Sequence, residues 1–152
     1  KPREIPVSQF LKRVMELHQG RFEAHKITAS CPVLTGEDED FDISGSLNYY
    51  LSAVANLIDN AIYWTRRARE EQGGDYTPAI AIRTLPNWAA EMAFRPFVST
   101  RAGGMGLGLY FAKMVMETQG GDMHIIPDIE ELDIENALQG AAIVMRFRRG
   151  RQ

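Results

Sequence analysis

Asn56-Leu57-Ile58-Asp59-Asn60-Ala61-Ile62-Tyr63 lies inside a long helical pattern that runs from about Leu47 to Glu71 and stops at Gly73-Gly74. Leu51, Val54, Ala55, Ile58 and Ile62 recur at helical spacing and form one apolar stripe. Asn56, Asp59, Asn60 and Tyr63 form a second, polar stripe. At ~100° per residue the two are centred roughly 130° apart, so the polar side chains point together to whatever lies beside the core. Asn and Asp are weak helix formers, and propensity does not explain gathering them mid-helix. A solvent-facing stripe would favour Lys, Glu and Arg, as Arg66–Glu71 of the same helix does. Short amides suit a ligand-facing stripe better, because an Asn carbonyl oxygen is a hard, neutral donor for magnesium.

Upstream, Pro6-Val7-Ser8 precedes a helix whose apolar stripe is Phe10, Leu11, Val14, Met15 and Leu17. Lys26–Ser30 reads as a short strand. Gly36–Asp40 reads as a solvated acidic turn, with Phe41–Ile43 as the returning strand. Downstream, Thr77–Thr84 reads as a buried strand. Gly103-Gly-Met-Gly-Leu-Gly-Leu109 is a glycine-rich loop opening a helix that ends at Gly120-Gly121. Met123–Ile126 and Ala141–Phe147 close the chain as strands, joined by the acidic connection Asp128–Gln139. This order predicts an α+β fold: a two-layer sandwich with a mixed sheet and helices packed on one face.

The glycine loop has phosphate-binding chemistry. A helix N-terminus offers unpaired N–H groups and a positive dipole end, and glycines let an anion approach the backbone closely. The loop lacks the Gly-Lys-[Ser/Thr] of a Walker loop and the βαβ setting of a dinucleotide fingerprint.

Three segments together resemble the GHKL superfamily of ATP-binding domains, most closely the catalytic domain of bacterial sensor histidine kinases. Asn56-Leu-Ile-Asp-Asn60-Ala61 resembles its asparagine box. Phe94-Arg-Pro-Phe97-Val-Ser-Thr100-Arg101 resembles its phenylalanine box, and Gly104-Met105-Gly106-Leu107-Gly108-Leu109 its second glycine box. Glu4–Leu11 is similar to the start of such catalytic domains. The resemblance implies a single domain over residues 1–152 with the Bergerat-type ATP-binding fold, and ATP and magnesium as cofactors. Asn60 would be the magnesium ligand and Asn56 would support the phosphate–metal network, the two acting as the catalytic pair. Tyr63 and Trp64 stand where many histidine kinases have Lys then Tyr, and Trp64 could pack beside adenine. Phe94 and Phe97 would anchor a lid, Thr100 and Arg101 would reach the phosphates, and Gly104–Leu109 would cradle them.

The family's first glycine box, Asp-x-Gly-x-Gly, is not found. No Gly occurs between Gly74 and Gly103, and Leu85 leads through Pro-Asn-Trp-Ala-Ala-Glu-Met-Ala to Phe94. Losing its adenine-binding Asp would cost on the order of 1.5–3 kcal/mol, tenfold or more in affinity. A degenerate domain, a deletion, or polypeptide missing from this sequence within 88–93 would each explain the gap; the last is the expectation.

Within the superfamily, hydrolases place a Glu where this chain has Asn56. An amide cannot accept a proton at neutral pH, so Asn56 argues against efficient hydrolysis. The resemblance therefore implies a protein-histidine kinase that presents the ATP γ-phosphate to a histidine on a separate dimerisation and phosphoacceptor domain of the same protein. It would be inactive without that domain, and a response-regulator receiver protein would act downstream. The alternatives are a stand-alone GHKL ATPase or anti-sigma-type serine kinase, and a degenerate non-catalytic nucleotide-binding module. His18, His25 and His124 lack a phosphoacceptor motif and read as surface histidines.

Composition agrees with one globular domain: 152 residues, 45% hydrophobic and 24% charged, are enough for a proper core. A net charge of −3 does not favour nucleic acid, and the alternating tail Met145–Arg151 reads as a solvated strand face. Cys31 is the single cysteine, so no internal disulfide forms, and beside Pro32 it reads as an inert loop thiol. No stretch reaches membrane-span length, and the domain is expected in the cytoplasm without membrane contact. The chain opens at Lys1 rather than Met, as a fragment of a longer protein would; the parent's membrane segments, if any, would lie outside it.

Overall fold

A computed structural model describes residues 3–73, 78–84, 107–126, 142–148 and 150. Their order is β1 (Arg3–Pro6), α1 (Val7–Ala24), β2 (Thr28–Ser30), a 3-10 turn (Pro32–Thr35), β3 (Asp42–Gly45), α2 (Leu47–Gln72), β4 (Ala79–Ala81), α3 (Leu107–Thr118), β5 (Asp122–Ile126) and β6 (Ala142–Arg146). β1 pairs antiparallel with β3, β2 parallel with β4, and β5 antiparallel with β6. Past β6 the chain runs beside the free edge of β3. Ser44 N–H donates to the Arg148 carbonyl at 2.7 Å and Gly150 N–H to the Asp42 carbonyl at 2.9 Å. That seam joins two of the ladders, and helices against strands complete an α+β arrangement.

The core forms between the layers. Ile5, Ile43 and Met123 from the strands meet Phe10, Leu11, Val14 and Phe22 of α1, Tyr50, Val54, Ile58 and Ile62 of α2, and Leu109, Ala112 and Met116 of α3. Burying each large aliphatic side chain contributes about 1.5–3 kcal/mol. At the centre, Tyr50 and Phe147 meet edge-to-face with centroids 4.9 Å apart, and Phe10 packs on both. The Tyr50 hydroxyl donates to the Ser44 carbonyl, which satisfies a fully buried phenol.

Several sequence expectations need correction. Leu17 is 48% exposed, so the buried stripe of α1 runs through Phe10, Leu11, Val14, His18 and Phe22 instead. In α2, Leu51 and Ala55 are only partly buried, and the buried arc is turned toward Tyr50, Ala53 and Thr65. The strand expected over 77–84 is three residues long and half-buried.

The largest change concerns Gly36–Asp40, which is not the solvated tip of a hairpin. β2 and β3 do not pair; each finds a partner distant in sequence. The acidic side chains have structural partners. Pro6, at the N-cap of α1, makes no side-chain capping bond, and Asp40 takes over that role. Its Oδ1 accepts from Ser8 N–H at 2.9 Å and its Oδ2 from Ser8 Oγ at 2.5 Å. Asp38, with its side chain only 7% exposed, accepts two bonds from Arg83, at 2.8 Å from Nε and 2.7 Å from Nη2. The Thr84 N–H adds a third at 3.2 Å, and Thr84 Oγ1 donates to the Glu39 carbonyl at 2.7 Å. One loop thus ties α1 to the end of β4.

Two tests follow from this packing. Gly45 has φ +151°, and a Cβ there would overlap the Tyr50 phenol. Gly45→Ala should cost about 2–4 kcal/mol of stability, read as a lower urea midpoint. The Arg83 hydrogen bonds, with help from Thr84 N–H, hold the Asp38 carboxyl below its usual range against the opposing effect of burial. A depressed folded-state pKa gives stability that is present above the unfolded value, near pH 4, and is lost as pH falls through the folded value. Asp38→Asn should cost roughly 1–3 kcal/mol at neutral pH and flatten the acid limb of a stability–pH curve by that contribution.

Candidate nucleotide site

The two asparagines lie half-buried on one side of α2, at the border of its core arc, Asn60 being two turns beyond the buried Ala53. Asn60 Nδ2 donates to the Asn56 carbonyl at 2.9 Å, Asn56 Nδ2 to the Ser52 carbonyl at 3.0 Å, and Ser52 Oγ to the Asn48 carbonyl at 3.0 Å. Each side chain is folded back on the turn before it. A carbonyl oxygen cannot donate, so the amide atom facing the backbone oxygen must be nitrogen in both asparagines. Both Oδ1 atoms are therefore directed away from those backbone carbonyls, with acceptor lone pairs left over. Two neutral oxygens one helical turn apart have the donor chemistry that a hydrated magnesium ion takes. No group of three or more His, Cys, Asp or Glu able to hold a metal occurs among the described residues. A cation here would be held by amide oxygen, water and phosphate.

The neighbouring predicted residues divide. Tyr63 is half-buried and its hydroxyl accepts a long 3.4 Å contact from Arg67 Nη1, so it leans toward the C-terminal end of the helix. Trp64 is 39% exposed and packs edge-on against Tyr63 at 5.2 Å. Its exposed ring remains available to a planar ligand. Asp59 does not share the direction of the amides: its Oδ1 pairs with Arg21 Nη1 of α1 at 2.6 Å. Nothing local in the sequence announces Arg21, because the contact spans 38 positions.

α3 packs along α2. Gln119 Oε1, just past the end of α3, accepts from the N–H of Ser46, which precedes α2, at 2.8 Å. The C-terminal end of α3 thus meets the N-terminal end of α2, and the helices run antiparallel. The 12 residues of α3 span about 18 Å, which brings its first turn roughly level with Ile58, between the two asparagines. Leu107 and Gly108 open this helix, and Leu109 is 2% exposed, so the Leu109 side chain belongs to the core and only its backbone could serve a ligand. Thr100, Arg101, Gly104, Met105 and Gly106 lie outside the described residues, as do Phe94, Phe97 and the expected break within 88–93. A cleft of about 440 Å³ lined by Ser46, Gln119, Gly120 and Arg148 among others sits at the N-terminal end of α2, some ten residues short of Asn56. It is a separate feature.

His18 and His124 are buried at 9% and 4% exposure, which corrects their reading as surface residues. His124 Nδ1 lies 3.4 Å from Asp122. Burial, then the nearby Asp38 charge, pushes the Cys31 thiol up to about 11, so it is the inert thiol expected.

No protein-family model and no curated protein matches the chain. Among solved structures it is similar to the catalytic domain of histidine kinase ThkA, in a nucleotide-free form, with a TM-score of 0.57 and 17% identity. The match covers 98% of this chain and 96% of that one. At this identity the likeness is one of architecture, and the chain has the α+β fold of a histidine kinase catalytic domain.

Proposed function

We propose that the chain is the ATP-binding catalytic domain of a two-component sensor histidine kinase. The observation that carries this reading is the pair of outward amide oxygens of Asn56 and Asn60, roughly level with the first turn of α3, in a chain whose fold is that of a histidine kinase catalytic domain. Asn60 would hold magnesium through Oδ1, and Asn56 would hold the waters and phosphate oxygens around it. The cation would neutralise phosphate charge. The backbone N–H groups heading α3 would donate to the β- and γ-phosphate oxygens, and the exposed face of Trp64 would lie beside the base. Thr100, Arg101 and Gly104–Gly106 join the phosphate set on the strength of the sequence resemblance.

An amide at position 56 offers no base for water, so this arrangement suits transfer to a protein nucleophile. The acceptor nitrogen of a histidine on the dimerisation and phosphoacceptor domain attacks the γ-phosphorus, the bond to the β,γ-bridging oxygen breaks, and ADP leaves. A receiver protein would take the phosphoryl group next. Tyr110, Phe111 and Met114 are 63%, 46% and 45% exposed and share the outer side of α3, an apolar surface compatible with a docked partner domain. Among the described residues no helix is long and apolar enough to cross a membrane, and the reading places the domain in the cytoplasm.

The absent Asp-x-Gly-x-Gly favours a second reading, a nucleotide-binding module without catalysis. Phosphoryl transfer to a histidine-bearing phosphoacceptor domain separates the two, and calorimetric titration tests the nucleotide site that both require. Asn60→Ala should abolish magnesium-dependent ATP binding while leaving the thermal midpoint within a few degrees, since its side chain bonds only its own helix among the described residues. Unchanged affinity in that variant would remove the metal role. A parent domain that binds no magnesium–ATP at millimolar concentration would remove the kinase reading.

A further inference from the structure

Asp59 is an awkward neighbour for a triphosphate. It places a full negative charge one residue from Asn60 and about 60° around the helix from Asn56. Its side chain is 50% exposed, and the carboxylate is drawn to α1 by the 2.6 Å ion pair with Arg21, which is 43% exposed. Behind the pair lies His18, one turn before Arg21 on α1. Among the described residues its Nδ1 has no hydrogen-bond partner, and its ring packs 6.5 Å from that of Phe22. Burial, and then Arg21, lowers the His18 pKa against the opposing pull of Asp59, so the imidazole is neutral at pH 7. The charge balancing Asp59 at this corner is the guanidinium of Arg21. Half-exposed ion pairs contribute little to stability, but a charge within a Debye length of a polyanion is felt.

We infer that Arg21 is a positioning residue for the nucleotide site: it holds the Asp59 carboxylate against α1 and balances its charge, so that a magnesium-bound triphosphate reaches Asn56 and Asn60 without a fixed anion beside them. The inference rests on the ATP-binding reading above.

The test is magnesium–ATP titration at low ionic strength of the parent chain, Arg21→Gln, Asp59→Asn, the double variant and Arg21→Lys. Arg21→Gln should raise Kd roughly three- to tenfold. Asp59→Asn should bind at least as tightly as the parent, the double variant should follow Asp59→Asn, and Arg21→Lys should keep most of the parent affinity. A purely structural clasp predicts the opposite pattern, with either partner's loss weakening binding. Weaker binding by Asp59→Asn, a loss from Arg21→Gln that persists in the double variant, or no loss at all overturns the inference. If Arg21→Gln does not fold, the sign of the Asp59→Asn effect alone decides. A parent chain that fails to bind overturns the ATP-binding reading and this inference with it; a binding parent without Arg21–Asp59 coupling overturns only the latter.

Discussion

α2 can bury only one side. Tyr50, Ala53, Val54, Ile58 and Ile62 are at most 7% exposed, and removing them from water is a large part of what holds the layers together. A helix is rigid about its own axis, so fixing that arc fixes every other direction on its surface. Asn56 and Asn60 are then held at the border of that arc, and the back-bonds to Ser52 and Asn56 settle which end of each amide faces the backbone. The candidate site depends on the hydrophobic core more than on any contact within it.

The same core is closed by contacts between segments far apart in the chain. Phe147 fills the space between Phe10 and Tyr50, bringing the C-terminal strand against the first helix. The Asp38–Arg83 and Asp40–Ser8 bonds stretch one loop between β4 and α1. Arg69 of α2 donates to the His25 and Lys26 carbonyls at the end of α1, at 2.7 and 3.3 Å. These polar ties satisfy helix ends and a buried carboxylate that would otherwise be costly. They also orient α1, and so bring Arg21 beside the asparagine motif.

As proposed, the site would combine neutral oxygen donors with a helix N-terminus. Such a combination stabilises a polyanion and its cation without supplying a general base. Among the described residues of α2, Asp59 is paired with Arg21 and Arg67 with Glu71 at 3.1 Å. Among the described residues, what Asn56 and Asn60 offer a ligand is directional and uncharged.

The sequence by itself determined the helices and the polar stripe, but it did not announce β1, whose pairing with β3 is non-local. Asn56, Asp59 and Asn60 announced themselves because helical period and side-chain chemistry are local properties, written in spacing and residue type. α1, α2 and α3 were legible for the same reason, as was the inertness of Cys31. What escaped was non-local. Whether Gly36–Asp40 was a hairpin tip or a clasp depended on Arg83 and Ser8, and whether His18 was exposed depended on the helix packed against it. Asp59 counted as part of the amide face until α1 drew it aside. Only the tertiary structure decided these points, because ion pairs and burial are set by which distant segments meet, and a one-dimensional pattern carries no record of its neighbours in space.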